Sequence, residues 1–175
     1  MDLIVVIGPE STGTRVTTKI VKEATGYPVR FLPELWNGEF VEPKKGTITR
    51  RSLPHGPIGD GRIFWDTLKL HPNAINCGWN PVYLFTTRDR SIVGKSKMRE
   101  HTRGNLELTI EEIEKAESML RAHLMMGFPT EVIALESIIM LGPIVVINSL
   151  KNLGIKADPV NFEIRDANKK YFEEV

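Results

Sequence analysis

A strand, a glycine-flanked loop and a helix follow one another at the start of this chain, and they constrain its fold more than any other feature of its 175 residues. The strand is the continuous apolar run Leu3–Ile7, which is typical of a strand buried on both faces of a parallel sheet. The helix is Thr14–Ala24, where apolar residues recur at helical spacing until Gly26 ends it.

Further strands and helices alternate along the rest of the chain. We expect two more strands and three more helices, in chain order Pro81–Thr87, Arg88–Glu100, Thr109 to near Gly127, Thr130–Leu135 and Gly142–Leu153. The spacing of Thr109 and Glu112 is that of a capping box, which predicts a helix start at Thr109. Between Pro28 and Pro81 no regular element is evident, and we expect short ones. The alternation predicts a three-layer α/β fold with a central parallel sheet.

Size and composition favour a single domain over residues 1–175, since 41% of residues are hydrophobic and 26% are charged, as in globular proteins. The lone Cys77 excludes an internal disulfide and a multi-cysteine zinc site. The net charge of +1 disfavours nonspecific nucleic-acid binding, and no segment has the ~20 apolar residues of a membrane helix. We therefore expect a cytoplasmic protein with no nucleic-acid, membrane or metal partner.

The loop from Gly8 to Arg15 reads G-P-E-S-T-G-T-R. Between a strand and a helix, such a loop forms a pocket for phosphate or sulfate from backbone N–H groups and the positive helix end. The loop of nucleotide hydrolases reads G-x-x-x-x-G-K-[ST]. Because Thr14 replaces that lysine and Arg15 replaces the magnesium-binding hydroxyl, an ordinary ATPase is disfavoured. The alternative is that Gly8 and Gly13 only make a tight turn.

Arg88 follows the predicted strand Pro81–Thr87, and Ser96 follows on the next predicted helix. An arginine at the carboxyl end of a parallel strand points into the crevice where ligands bind in open α/β sheets, and its planar fork suits a second phosphate. A serine two turns along the helix is placed to reach the same group. The alternative is a charged loop formed by Arg88, Asp89 and Arg90.

The strand–G-x-x-x-x-G-T-R–helix unit and the later strand–Arg–x7–Ser unit together resemble the sulfotransferase family, in particular its small members of the kind found in phages. Arg51–Gly56 and Arg165–Tyr171 also look like segments of such members. The resemblance implies a P-loop NTPase-like fold and the co-substrate 3′-phosphoadenosine 5′-phosphosulfate. It assigns the 3′-phosphate to Arg88 and Ser96, and the 5′-phosphosulfate to Ser11, Thr12, Gly13, Thr14, Arg15 and Val16.

One position departs from the family pattern. Many members have a lysine two residues before the second loop glycine, where it stabilises the leaving oxygen, and here that residue is Ser11. Arg15 is the candidate catalytic residue that supplies compensating charge. His55 is the first candidate for the base that accepts the acceptor's proton, because a free imidazole titrates near neutral pH, and Glu34 is the second. The alternative for His55 is a surface or structural histidine.

The expected function is sulfuryl transfer to a hydroxyl or amine of a small-molecule or glycan acceptor. Two alternatives stay open: a divergent nucleotide or nucleoside kinase that uses Mg-ATP, and a nucleotide-binding module without catalysis. The basic pairs Lys44–Lys45 and Arg50–Arg51 are candidates for the entrance of an anionic ligand, or else are solvated loop charges. Nothing in the sequence indicates the identity of the acceptor or the oligomeric state.

Overall fold

In a computed structural model of the chain, which describes residues 1–53, 67–100 and 106–164, four parallel strands form one sheet in the order β2-β1-β3-β4. The strands are β1 (Asp2–Pro9), β2 (Thr47–Leu53), β3 (Asn80–Thr87) and β4 (Thr130–Ala134). An isolated parallel bridge from Val29 to Ile48 extends the pairing on the outer side of β2. The predicted α/β fold with a central parallel sheet is confirmed.

Helices cover both faces of this sheet. They are α1 (Thr14–Thr25), α2 (Pro33–Trp36), α3 (Thr67–Asn76), α4 (Arg90–Glu100), α5 (Leu106–Met125), α6 (Leu135–Leu141) and α7 (Ile144–Asn152). Residues of α2, α3 and α5 pack on one face of the sheet, and residues of α1, α6 and α7 pack on the other. The three layers of the sequence-based prediction are therefore present, with the sheet in the middle.

The apolar run of β1 is continuous because helices cover the strand on both sides. Leu3, Val5 and Ile7 belong to the core under α2, α3 and α5, whereas Ile4 and Val6 belong to the core under α1 and α7. All five side chains are fully buried. Burial of each such side chain contributes roughly 1.5–3 kcal/mol, so β1 anchors the fold and the loop that follows it.

One predicted helix boundary is wrong, and one helix was not predicted. The capping box at Thr109 does not begin a helix, because α5 already begins at Leu106 and Thr109 lies within it. The single predicted helix Gly142–Leu153 is preceded by another, α6, which follows β4 directly and ends before Gly142. Across the described ranges no single helix has the length and apolar character of a membrane span; α6 and α7 meet both criteria only together, and they are bent by 119°.

His123 lies in the interior of the protein. It is fully buried on α5, and its Nε2 lies 2.6 Å from the Thr67 hydroxyl. The Tyr83 ring meets the His123 ring edge-on, with 4.5 Å between centroids, and burial raises the pKa of the Tyr83 phenol. The His71 ring stacks on the Phe128 ring, with 3.8 Å between their centroids. Burial lowers the pKa of His71. This cluster joins α3, β3 and α5, so these two histidines have packing roles.

Candidate functional site

The glycine loop leaves the sheet between the carboxyl ends of two neighbouring strands, because β1 lies between β2 and β3. A Cβ atom at Gly8 would lie 2.3 Å from Thr86 Oγ1 and 2.4 Å from the Thr86 carbonyl oxygen. Only glycine permits so close an approach of the two strands. Gly8 therefore determines where the loop begins.

Two loop residues adopt the left-handed backbone conformation, Ser11 with φ 65° and Gly13 with φ 92°. Among the residues that the structure describes, Ser11 is the one residue other than glycine that has a positive φ. A Cβ atom at Gly13 would also lie 2.8 Å from Leu135 Cδ1 of α6, so backbone and packing both require glycine there. A left-handed backbone conformation costs roughly 1–3 kcal/mol at a residue other than glycine, such as Ser11. Residues in such conformations are concentrated at functional sites.

The first turn of α1 presents backbone N–H groups to the loop. Its N-cap is Gly13, and within the described ranges it has neither a side-chain cap nor an acidic residue in the first turn. The N–H of Thr17 bonds to the Gly13 carbonyl oxygen at 3.0 Å, so the N–H groups of Thr14, Arg15 and Val16 precede the first intrahelical hydrogen bond. Together with the helix dipole, these N–H groups favour an anion at this end of α1.

The Thr12 hydroxyl is engaged inside the protein. It donates to the Pro9 carbonyl oxygen at 2.6 Å and lies 2.7 Å from the Thr86 hydroxyl, which in turn lies 3.3 Å from the Ile7 carbonyl oxygen. The Thr12 N–H also bonds to Pro9. These bonds fix the turn between β1 and α1 against β3. The predicted binding role of Thr12 stays a prediction, and the structure supports a role in shaping the loop.

We expect Thr86→Val to lower the free energy of unfolding by about 1–2 kcal/mol, because it removes the hydroxyl that joins β3 to the loop. Equilibrium denaturation measures this change. Thr49→Val is the matched control, since Thr49 is also a fully buried strand residue but its hydroxyl has no hydrogen-bond partner among the described residues. That change is expected to be neutral or stabilising. Equal losses in both variants would contradict the proposed importance of the Thr12–Thr86 contact.

Arg88 connects the end of β3 to the glycine loop. Its Nη1 donates a hydrogen bond to the Ser11 carbonyl oxygen at 2.9 Å. Asp89 then caps α4 by accepting from the N–H groups of Ser91 and Ile92. The hydrogen bond from the Ser91 hydroxyl and then these backbone bonds lower the pKa of Asp89. Ser96 is buried on α4. The structure thus brings Arg88 to the loop, while the binding of a phosphate by Arg88 and Ser96 stays a prediction.

Arginines also lie on the other side of the loop, within β2. Arg50 shares a strand face with Ile48, which packs under α1, and Arg15 is exposed in the first turn of α1. Desolvation and then the nearby charge of Arg15 lower the pKa of Arg50. Arg51 is directed to the opposite face. Burial and then the Arg50 charge lower the pKa of Arg51. Arginines therefore lie on both sides of the loop.

Phe31 was missed by sequence reasoning. The Arg51 guanidinium lies 3.5 Å above the centroid of the Phe31 ring, and this ring is 56% exposed. The contact depends on pairing of residues 28–30 along β2, where the Arg30 N–H bonds to the Ile48 carbonyl oxygen at 2.8 Å. A single aromatic residue in an irregular segment has no spacing that could have indicated this contact.

His55 and the segments 54–66 and 165–175 lie outside the described residues, so the predicted catalytic role of His55 stays a prediction. Glu34, the second candidate base, is exposed on α2. The described residues contain no group of three or more His, Cys, Asp or Glu side chains that would hold a metal ion. The residues brought together include arginines and backbone donors, which suit an anion, and the Glu136 carboxylate, which accepts from the Asp89 N–H beside Arg88.

No protein-family model matches this chain, and no curated protein matches it in sequence. Among solved structures, it is similar to an unliganded sugar kinase from a Janibacter species, with a TM-score of 0.49 and 12% sequence identity over 89% of this chain and 95% of that chain. The geometry itself defines the fold: an α/β domain with a central parallel sheet and a P-loop-type connection after its first strand.

Proposed function

We propose that this protein binds 3′-phosphoadenosine 5′-phosphosulfate and transfers its sulfuryl group to a hydroxyl or amine of a small-molecule or glycan acceptor. The hydrogen bond from Arg88 to the Ser11 carbonyl oxygen carries the proposal. It joins the two units to which the sulfotransferase resemblance assigns the two ends of the donor. A ligand with anionic groups at two positions fits this arrangement better than a ligand with one.

The glycine loop and the first turn of α1 would hold the 5′-phosphosulfate. In transfer, the bond between sulfur and the bridging oxygen breaks, a bond forms between sulfur and the acceptor atom, and the acceptor's proton passes to a base. The 3′,5′-bisphosphate leaves with an added negative charge. The guanidinium of Arg15 and the N–H groups of Thr14 and Val16 would stabilise that charge, in a chain that has Ser11 at the family lysine position.

Arg88 would hold the 3′-phosphate. A guanidinium carries five N–H donors in a fixed plane, and one donor of Arg88 bonds to the Ser11 carbonyl oxygen. A phosphate bound to Arg88 would therefore be coupled to the loop conformation through the Ser11 carbonyl oxygen. Occupancy of the 3′ position would then stabilise the loop that receives the 5′ end.

A kinase that uses Mg-ATP is the second candidate. The four residues between Gly8 and Gly13, flanked by β1 and α1, match the first part of an ATP loop, and this observation favours it. Two positions oppose it. Thr14 is buried and uncharged where a lysine would contact the β- and γ-phosphates, and Arg15 stands where a hydroxyl would bind magnesium.

We expect Arg15→Ala to slow release of the 3′,5′-bisphosphate from 3′-phosphoadenosine 5′-phosphosulfate by at least about 10-fold, because the developing charge loses its cation. Chromatography of the nucleotide products measures this release, with water in place of the unidentified acceptor. Arg15→Lys is expected to retain part of the rate.

Lys22→Ala is the control for this experiment, because Lys22 is an exposed cation in the last turn of the same helix. It is expected to release product at the wild-type rate. An unchanged rate in Arg15→Ala would remove Arg15 from the mechanism. Donor binding without any release in the wild-type protein would favour the binding module that lacks catalysis.

A further inference from the structure

The structure brings together two arginines, Arg15 and Arg50, of which only Arg15 belongs to the proposed donor site. Arg15 comes from the first turn of α1, and Arg50 comes from the middle of β2, where it pairs with Val6 and lies on the sheet face that packs against α1. The charge of Arg15 contributes to lowering the pKa of Arg50, in keeping with this placement. No carboxylate among the described residues forms an ion pair with either of them. Two guanidinium groups repel each other, so an arrangement of this kind favours an anion between them.

This pair lies on the opposite side of the loop from Arg88. β2 and β3 flank β1, and adjacent strands are about 4.8 Å apart, so the carboxyl ends of β2 and β3 are separated by about 10 Å. Arg88 follows β3, whereas Arg50 lies in the middle of β2, three residues before the strand ends at Leu53. A 3′-phosphate held at Arg88 would therefore leave Arg50 for a different anionic group.

From this placement we infer that Arg15 and Arg50 form a second anion subsite, and that the acceptor carries an anionic group, a carboxylate or a tetrahedral oxyanion such as phosphate or sulfate. The inference rests on the proposed function, since it assigns the donor to the loop and to Arg88. Arg15 would then face both substrates, at the point where the sulfuryl group moves between them. Arg50 would select acceptors by charge without contacting the donor.

The test is calorimetric titration of inorganic pyrophosphate, and separately of citrate, into protein saturated with 3′-phosphoadenosine 5′-phosphate. At least one of the two anions is expected to bind beside the nucleotide, and which one binds distinguishes a tetrahedral oxyanion from a carboxylate. Arg50→Gln is expected to weaken that binding at least about 10-fold and to change nucleotide affinity less than 3-fold, as expected for loss of one charge-assisted contact. Arg50→Lys is expected to retain part of the affinity.

Lys151→Gln is the matched control, because it removes the same charge from an exposed residue in the last turn of α7. It is expected to bind the anion as the wild type does. Equal anion affinity in Arg50→Gln and wild type, displacement of the nucleotide by the anion, or binding of neither anion would overturn the subsite.

The same titration of nucleotide-free protein separates this inference from the donor proposal. If the 3′,5′-bisphosphate does not bind, the donor proposal fails. An Arg50-dependent anion site in the nucleotide-free protein would still support the subsite, and its absence there would overturn the subsite as well.

Discussion

Gly8→Ala is expected to lower the free energy of unfolding by about 3 kcal/mol, the largest stability effect of any single change in the loop. The added Cβ atom would lie 2.4 Å from the Thr86 carbonyl oxygen, which is backbone and cannot rotate away. β1 and β3 would have to separate at the point where the loop begins. Equilibrium denaturation gives the loss of stability, and ligand titration is expected to show weakened anion binding in the same variant.

Gly26→Ala is the control for this change. Gly26 also lies beside α1 and has φ 68°, but a Cβ atom there meets nothing within 4 Å. Its cost is therefore limited to the left-handed backbone, about 1 kcal/mol. If Gly8→Ala were as stable as Gly26→Ala, the close approach of Gly8 to Thr86 would not determine the loop.

Arg88→Ala is expected to weaken binding of 3′-phosphoadenosine 5′-phosphate by about 10- to 100-fold, because a charge-assisted contact with the 3′-phosphate is lost. Binding of AMP, which lacks that phosphate, is expected to fall much less. The smaller loss of AMP affinity would reflect only the missing hydrogen bond from Arg88 to the Ser11 carbonyl oxygen. Calorimetric titration of both nucleotides measures the difference.

Arg90→Ala is the matched control for Arg88→Ala. Arg90 lies two residues further along and is exposed, and its guanidinium forms an ion pair with Glu117 of α5. Because an exposed pair of this kind contributes little to stability, its loss is expected to leave both nucleotide affinities unchanged. Equal losses of the two nucleotides in Arg88→Ala would contradict the assignment of Arg88 to the 3′-phosphate.

Local patterns predicted the part of the fold that holds the loop. Leu3–Ile7 lies inside β1, and Thr14–Ala24 matches α1 to within one residue, because an all-apolar run and two glycines specify a buried strand and a turn without reference to distant residues. The same holds for β3, which begins one residue before the predicted Pro81. The position of Arg88 beside the loop followed from its place after that strand.

Elements that depend on their neighbours were not predicted. β2 reads T-I-T-R-R-S-L, and two of its threonines are fully buried only because β1 and the helices cover them. α3 contains Pro72, which normally argues against a helix interior. On α5, the apolar residues Ile110 and Leu124 are 46% and 53% exposed, so apolar character alone does not identify the buried face of this helix.

The contacts of Arg50 and Arg51 in the site were not predicted either, because they also depend on neighbouring elements. The proximity of Arg15 and Arg50 requires β2 to pair with β1 in a register that places Arg50 beside Val6, under α1. Since β2 itself was not predicted, neither was this pair. The contact of Arg51 with Phe31 likewise depends on the bridge between Val29 and Ile48. Sequence spacing could therefore indicate an anion loop, but not the cations opposite Arg88.

The central claim is that the loop and Arg88 together bind a nucleotide with phosphates at both the 3′ and 5′ positions. The most direct measurement is thermal unfolding with 3′-phosphoadenosine 5′-phosphate, Mg-ATP or AMP, each at equal concentration. A ligand at about 100 times its dissociation constant adds about 2.7 kcal/mol, which raises the Tm of a domain this size by roughly 5–10 °C. We predict such a rise with the 3′,5′-bisphosphate and a smaller one with AMP or Mg-ATP. A rise with Mg-ATP alone, or with none of the three, would contradict the account.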